Sequence, residues 1–256
     1  MSARALIAGM ATMPRRAALL RDALAVVLPQ VDQLHLFLDR FEHVPDATQH
    51  DKIVVYRSQE HGDLRANGKL LGLTAAPPEA IYFTMDDDIA YPANYVARMA
   101  AHLARYQYRV ALGVHGLTLH PPITRYLESR RSTPRSKPLR IDRAVHFLGT
   151  DTVAFPADLA RFDVRGWSAF NMVDLMFGLE LARRRIPRVI ISRKRRWVHD
   201  VEPADGESIF AQLKKDDTRQ TALAKQLVEL DGVRPLEPEG GWLARVGATA
   251  RERLGN

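Results

Sequence analysis

The 256-residue chain predicts an α/β fold: a mainly parallel central sheet with helices on both faces, and a helical appendage at the C-terminus. Three observations predict it. Short apolar runs alternate with helix-period segments in the order βαββαβα over the first hundred residues. The connections between them are short. The polar clusters fall where each run ends, which is the carboxyl edge of a parallel sheet, where such folds bind ligands.

The first run, Ala5 to Met10, reads as a buried strand. A turn with Pro14, Arg15 and Arg16 leads into a helix from Ala17 to Leu28, which stops before Pro29. Leu34–Leu38 and Lys52–Tyr56 are the second and third strands. Gly62–Gly68 is a loop, and Lys69–Ala75 starts a helix. Ala80–Thr84 is a fourth strand that runs into Asp86, Asp87 and Asp88, and Pro92 opens a helix to about Tyr106. Val110–Val114 reads as a strand. Pro121–Arg143 carries Pro121, Pro122, Pro134, Pro138 and a basic cluster, and reads as a long mobile loop with short helical pieces. Val145–Phe155 is strand, turn, strand; Asn171–Arg184 is helical; Arg188–Ser192 is a strand. Ser208–Leu230 reads as an amphipathic helix on Ile209, Phe210, Leu213, Leu223 and Leu227, and the tail from Gly240 is basic. The expected organisation is one domain over residues 1–204, followed by a helix and tail over 205–256.

Composition narrows the function. Hydrophobic residues are 46% and charged residues 26%, as in an ordinary globular protein, so disordered and collagen-like classes are excluded. There is no cysteine, hence no disulfide, thiolate metal site or cysteine nucleophile. No stretch reaches the ~18 apolar residues of a membrane span. The first apolar run is broken by Gly9 and Pro14, too short for a secretion signal, so a cytoplasmic protein is expected. The net charge of +7 is concentrated in two patches. Pro121 to Val145 holds seven basic residues against two acids, and Arg183 to Trp197 holds eight basic residues and no acid. Such patches suit phosphate, and they could dock on the anionic inner face of a membrane. They lack interleaved aromatics beyond Tyr126, Trp167 and Trp197, so nucleic acid is not the expected partner.

The chemistry centres on IYFTMDDDIAYP. Three adjacent carboxylates repel one another, and a divalent cation removes that cost. Asp86 and Asp88 flank one residue and can face the same side. Hard oxygen donors suit Mg²⁺ or Mn²⁺, which keep waters and take up substrate phosphates.

The segment YFTMDDDIAYPANYV resembles the DxD segment of bacterial family 2 glycosyltransferases with the GT-A fold. MATMPRR, LPQVDQLHLFLDRFEHVP, SQEHGDLRANGKL, VHFLGTDTVAF, NMVDLMFGLELARRRIP and ISRKRRW are similar to the same group in the same order, from about Ala5 to Trp197. The resemblance implies that Asp86 and Asp88 hold the metal, and that Asp86 and Asp87 meet the ribose and diphosphate of a nucleotide sugar, a UDP-sugar foremost. It implies Asp63 for the base, Lys69 for a phosphate or the ribose, and Thr12, Pro14 and Arg15 beside the base. Asp39 stands where relatives carry a polar residue. Asp174, in NMVD, corresponds to the catalytic base, with Val173 in place of the commoner Glu before it. His199 suits a third metal ligand, with His115 and His146 as rivals. Arg193-Lys194-Arg195-Arg196-Trp197 is similar to a QxxRW motif with Arg193 for Gln, which gives Arg196 and Trp197 to the diphosphate and acceptor.

The expected activity is a metal-dependent inverting glycosyltransferase acting on a saccharide or lipid-linked acceptor in cell-surface polysaccharide assembly. A sugar-nucleotide nucleotidyltransferase is the alternative within the same kind of fold, but such enzymes carry a glycine-rich phosphate loop where this chain has Ala11-Thr12-Met13-Pro14. A basic nucleic-acid or membrane-surface binding protein is the alternative from another class.

Overall fold

The structure of the chain is a computed structural model, and it describes residues 4–167, 169, 171–201 and 216–238. An eight-stranded mixed sheet forms the centre, in the spatial order β3(Ile53–Arg57), β2(Gln33–Leu38), β1(Leu6–Thr12), β4(Ile81–Asp86), β11(Thr152–Pro156), β6(Ala111–Gly113), β12(Arg188–Ile190), β9(Arg143–Ala144). The first four strands are mutually parallel, as expected from their order. The other half departs from the expected mainly parallel sheet. β11 leaves a tight turn at the carboxyl end of β4 and so runs back antiparallel to it, and only the β6–β12 pair beyond it is parallel. Two small sheets complete the fold: β10(Phe147–Leu148), β7(Gly116–Leu119) and β8(Arg130–Thr133), and a two-stranded pair of β5(Ile89–Ala90) with β13(His199–Asp200).

Strand alternation sorts the core onto two faces. Along β4, Ile81, Phe83 and Met85 point to one face and Tyr82 to the other. The first face is covered by α1(Ala17–Val27) and α3(Tyr95–Arg105). Helix α1 buries Leu20, Ala23, Leu24 and Val27, spaced by three and four residues as one helical stripe. Helix α3 does the same with Val96, Met99 and Leu103. Each such side chain contributes roughly 1.5–3 kcal/mol by leaving water.

The second face is covered by a 3₁₀ segment over Arg65–Thr74, by α4(Val173–Arg183), and by the last helix, which we call α5(Thr218–Asp231); a one-turn helix, α2(Ser58–His61), follows β3. The sequence predicts an α-helix starting at Lys69; the tighter 3₁₀ winding instead starts four residues earlier. Its backbone lies directly on the sheet. A Cβ at Gly68 would overlap the Phe37 ring, and one at Gly9 would overlap the Lys69 carbonyl and the Tyr82 hydroxyl. These two glycines let the segment seat Lys69 against the end of the sheet.

Helix α4 is buried on nearly every side because α5 packs on its outer face. Helix α5 puts Ala224 and Leu227 into this core, and its last residue, Asp231, forms a fully buried ion pair with Arg188 of β12. Within the described residues the helix starts at Thr218, where Asp216 accepts the Thr218 N–H at 2.9 Å. Ile209, Phe210, Leu213 and the tail from Gly240 lie outside the described residues.

The Pro121–Arg143 segment is more regular than its sequence predicts. Arg130–Thr133 forms β8, paired with β7 from Gly116↔Thr133 to Leu119↔Arg130. Arg-Arg-Ser-Thr has no apolar alternation to announce a strand; the backbone ladder to β7 holds it. Among the described residues, no helix is long and apolar enough to cross a membrane.

Candidate functional site

The carboxyl ends of β2, β1 and β4 form one edge, because Thr12 pairs with Leu38 and Ala11 with Asp86 in register. Asp39, Met13 and Asp87 are therefore the next residues out on three adjacent strands.

The acid triplet is split by burial. The Asp87 side chain is 0% exposed, while Asp86 and Asp88 keep 25% and 31% of theirs. Asp87 turns into the protein, where the Thr12 hydroxyl donates to Oδ2 at 2.6 Å and Arg16 to Oδ1 at 2.7 Å. Arg16 also reaches Asp88, at 2.8 Å. Lys69, buried to 4% in its side chain, forms an ion pair with Asp86. Burial raises the Asp87 carboxyl above its ordinary range, against the pull of Thr12 and Arg16. Burial and then repulsion from Asp86 raise Asp88. Arg16, rather than Arg15, reaches the triplet. Pro14 opens the short 3₁₀ turn after β1, and Arg15 stays exposed, its Nε 3.0 Å from the Met13 sulfur.

Beside this edge, Asp39 is 5% exposed and its Oδ1 has no hydrogen-bond partner; the nearest cation, the Arg40 Nε, is 4.0 Å away. Burial raises its carboxyl. Asp63, on the following loop, is held by Arg40 at 2.7 Å and Arg65 at 3.4 Å; burial is the largest single pull on its carboxyl and acts upward, but the hydrogen bonds and charges of Arg40 and Arg65 together outweigh it and lower the carboxyl. Asp39, Asp63 and Lys69 thus line the same end of the sheet as the triplet.

A chain of hydrogen bonds runs from the triplet to Asp174. The Asp86 N–H donates to the Tyr91 oxygen at 2.8 Å, and the Tyr91 hydroxyl donates to the Asp151 carbonyl at 2.5 Å. The next residue back, Thr150, donates to Asp174 Oδ1 twice, from its N–H at 2.8 Å and its hydroxyl at 2.6 Å. Asp174 lies in the first turn of α4, where a carboxylate is favoured by the helix dipole. Both Thr150 bonds fall on the same oxygen, Oδ1. Asp151 itself is 7% exposed and forms an ion pair with Arg135, which also pairs with Asp200. His115 shares a 3.1 Å hydrogen bond with Ser132 and lies 4.0 Å from Asp151; burial first, then Arg135, lower it to about 4.

His199 reaches the triplet through backbone pairing. In β13 it lies opposite Ala90, Asp200 lies opposite Ile89, and the Val201 N–H donates to the Asp88 carbonyl at 2.9 Å. The His199 Nδ1 is buried with no hydrogen-bond partner. His146 is placed elsewhere: its Nδ1 accepts the Leu119 N–H at 3.0 Å inside the core. Among the described residues no three His or acidic side chains already converge on a single metal position. Asp86 and Asp88, paired here with Lys69 and Arg16, are oxygen donors of the kind a hard divalent cation takes, and the His199 Nδ1 is a buried nitrogen left without a partner.

The basic motif divides in two. Arg193 is 4% exposed and donates to the carbonyls of Ile191, Pro134 and Arg135 at 3.0, 2.8 and 3.3 Å; burial lowers it to about 10. Trp197 lies under the Arg98 guanidinium at 4.3 Å and beside Tyr95, with ring centroids 5.7 Å apart. Arg196 is exposed, held at a positive φ of 53°, and its N–H donates to the Ser136 carbonyl at 3.0 Å. It lines a cavity of about 590 Å³ with Ser136, Lys137, Arg195, His199 and Asp200.

Arg16, Tyr91, Arg135 and Thr150 are the residues that sequence reasoning did not assign to this site. Each acts through a partner far along the chain, such as Arg16 with Asp87, 71 residues away. Only Arg16 had a local signal, its place in MPRR after the first strand. No protein-family model matches this chain, and no curated protein matches it either.

Proposed function

We propose that the chain is a metal-assisted, inverting glycosyltransferase. It would move a sugar from a nucleotide donor, a UDP-sugar, to a hydroxyl of a saccharide or lipid-linked acceptor in cell-surface polysaccharide assembly. The reading is carried by one observation: the carboxyl edge of a parallel β2–β1–β4 sheet gathers two partly exposed acids and a buried lysine, linked through Tyr91 and the Asp151–Thr150 backbone to an acid held by one oxygen at a helix N-terminus. Donor anchoring and proton removal need those two kinds of acid, set apart from each other.

Asp86, Asp88 and His199 would hold Mn²⁺ or Mg²⁺, which when bound supplies positive charge to the diphosphate leaving group. The chain's own residues do the rest. Asp87, Thr12 and Arg16 brace the turn that carries the ligands. Asp63 and the unpartnered Asp39 oxygen face the end of the sheet where the nucleoside would lie. Thr150 fixes Asp174 by one oxygen, and Oδ2 takes the proton as the acceptor oxygen bonds to the anomeric carbon and the bond to the diphosphate breaks. Arg196 offsets charge on the departing diphosphate.

Calorimetry with UDP tests the donor side. UDP should bind with Mn²⁺ and lose at least tenfold in affinity with EDTA, and Asp88→Ala should abolish the difference. Equal affinity under both conditions in the wild type would remove the metal from the account.

A further inference from the structure

The cavity of about 590 Å³ beside β13 is built by two segments held together by backbone bonds. Leu139 and Arg193 exchange N–H to carbonyl bonds at 3.0 and 2.8 Å, and Arg196 donates to Ser136 at 3.0 Å. Three side chains on its rim, Lys137, Arg195 and Arg196, are cationic and exposed, and none has a carboxylate partner among the described residues. The one acid on the wall, Asp200, is already paired with Arg135. Three like charges held on a fixed frame repel one another, and an anion of more than one charge relieves that repulsion. Guanidinium forks and an ammonium match the oxygens of a phosphate.

The position relates this cavity to the acceptor. Ser136 follows Arg135, whose guanidinium pairs with Asp151; the neighbouring Thr150 holds Asp174. The cavity wall is thus tied to the proton-accepting side of the site. On its other wall, His199 and Asp200 lie opposite Ala90 and Ile89, just past the acid triplet. An anionic group in the cavity would lie beside the reacting centre while the donor's diphosphate stayed at Asp86 and Asp88.

Building on the glycosyltransferase reading, in which Arg196 faces the donor's diphosphate, we propose that Lys137 and Arg195 form a phosphate subsite for the acceptor on the same cavity, so that the acceptor carries a phosphate group near the hydroxyl that is glycosylated. The shared chemistry, phosphate, could also come from the donor, and the experiment separates the two sources.

Phenyl phosphate, a soluble phosphomonoester, is titrated into the full chain by calorimetry, with and without saturating UDP and Mg²⁺. The expected result is binding that Lys137→Ala combined with Arg195→Ala weakens at least tenfold, and that UDP leaves within about threefold. Both side chains are exposed, so the fold should survive; circular dichroism checks it, and Arg195→Gln alone serves if the double variant misfolds. An affinity unchanged by these substitutions overturns the subsite. Displacement by UDP overturns the acceptor assignment and gives the cavity to the donor. If UDP fails to bind while phenyl phosphate binds and is lost in the variant, the donor reading falls and the acceptor assignment with it, and the anion site alone stands. Retention on phosphatidylglycerol vesicles that phenyl phosphate does not compete away would make the patch a membrane surface and overturn the proposal.

Discussion

The Thr12 hydroxyl donates a 2.6 Å hydrogen bond to Oδ2 of Asp87, joining the ends of β1 and β4 across 75 residues of sequence. The bond lies under the exposed acids, so the middle member of the triplet braces the turn while its neighbours face outward. Thr12→Val keeps the shape of the side chain and removes the donor. It leaves a buried carboxylate with Arg16 as its remaining partner. Urea unfolding at neutral pH should show a loss of about 1.5–3 kcal/mol, the range for hydrogen bonds to charged groups. An unchanged unfolding midpoint would mean that Asp87 needs no brace from β1.

Asp174→Asn keeps an oxygen for Thr150 and removes the proton acceptor. Transfer to an acceptor should fall by about 10²–10⁴-fold, the usual contribution of a general base. Binding of UDP should stay within threefold, because Asp174 is separated from the triplet by the Tyr91–Asp151 relay. Transfer at the wild-type rate would move the base to another carboxylate, Asp151 being the one nearest in the relay.

Acid should loosen the core through histidine. His146 is fully buried, and its Nδ1 accepts the Leu119 N–H, so a protonated ring would set one N–H against another. Burial is the main cause that lowers it to about 4, and burial also lowers His35 to about 4. In the unfolded chain a histidine titrates near 6.5. Between those values the unfolded state binds more protons, so stability present above pH ~6.5 is lost as the pH falls towards ~4. From pH 7 to pH 5 the unfolding free energy should drop by about 1–2 kcal/mol for each of the two residues. His146→Gln keeps an acceptor without a titrating ring, and should shrink that drop by one such share. The same pH dependence in variant and wild type would contradict the assignment.

Much of this arrangement is legible in the sequence, for reasons that differ between elements. β1, β2 and β4 are short, largely apolar runs, broken only by single buried polar residues such as His35 and Thr84, and β4 ends on its acids. α1 and α3 carry their stripes at helical spacing. The antiparallel return of β11 is not legible, since direction depends on the turn at 149–151 and leaves no mark in a five-residue apolar strand. β8 has no apolar alternation, only a partner. In the site, the exposed acids and Lys69 follow strands whose ends can be read directly. Arg16, Tyr91 and Thr150 cannot be read this way, because their roles are set by contacts that span from 5 to 71 residues and by the register of β1 on β4. Arg196 and His199 are visible as a basic motif and a following histidine, but the cavity they share exists only once Leu139 pairs with Arg193.

The central claim is that this chain activates a nucleotide sugar at Asp86 and Asp88. The most direct measurement is a panel of UDP-, GDP-, dTDP- and CMP-sugars incubated with the protein and Mn²⁺, scored for released nucleotide by slow hydrolysis, which needs no acceptor. The account predicts release from a UDP-sugar that stops with EDTA and with Asp88→Ala. Release from none of the donors, by a folded protein supplied with Mn²⁺, would contradict it.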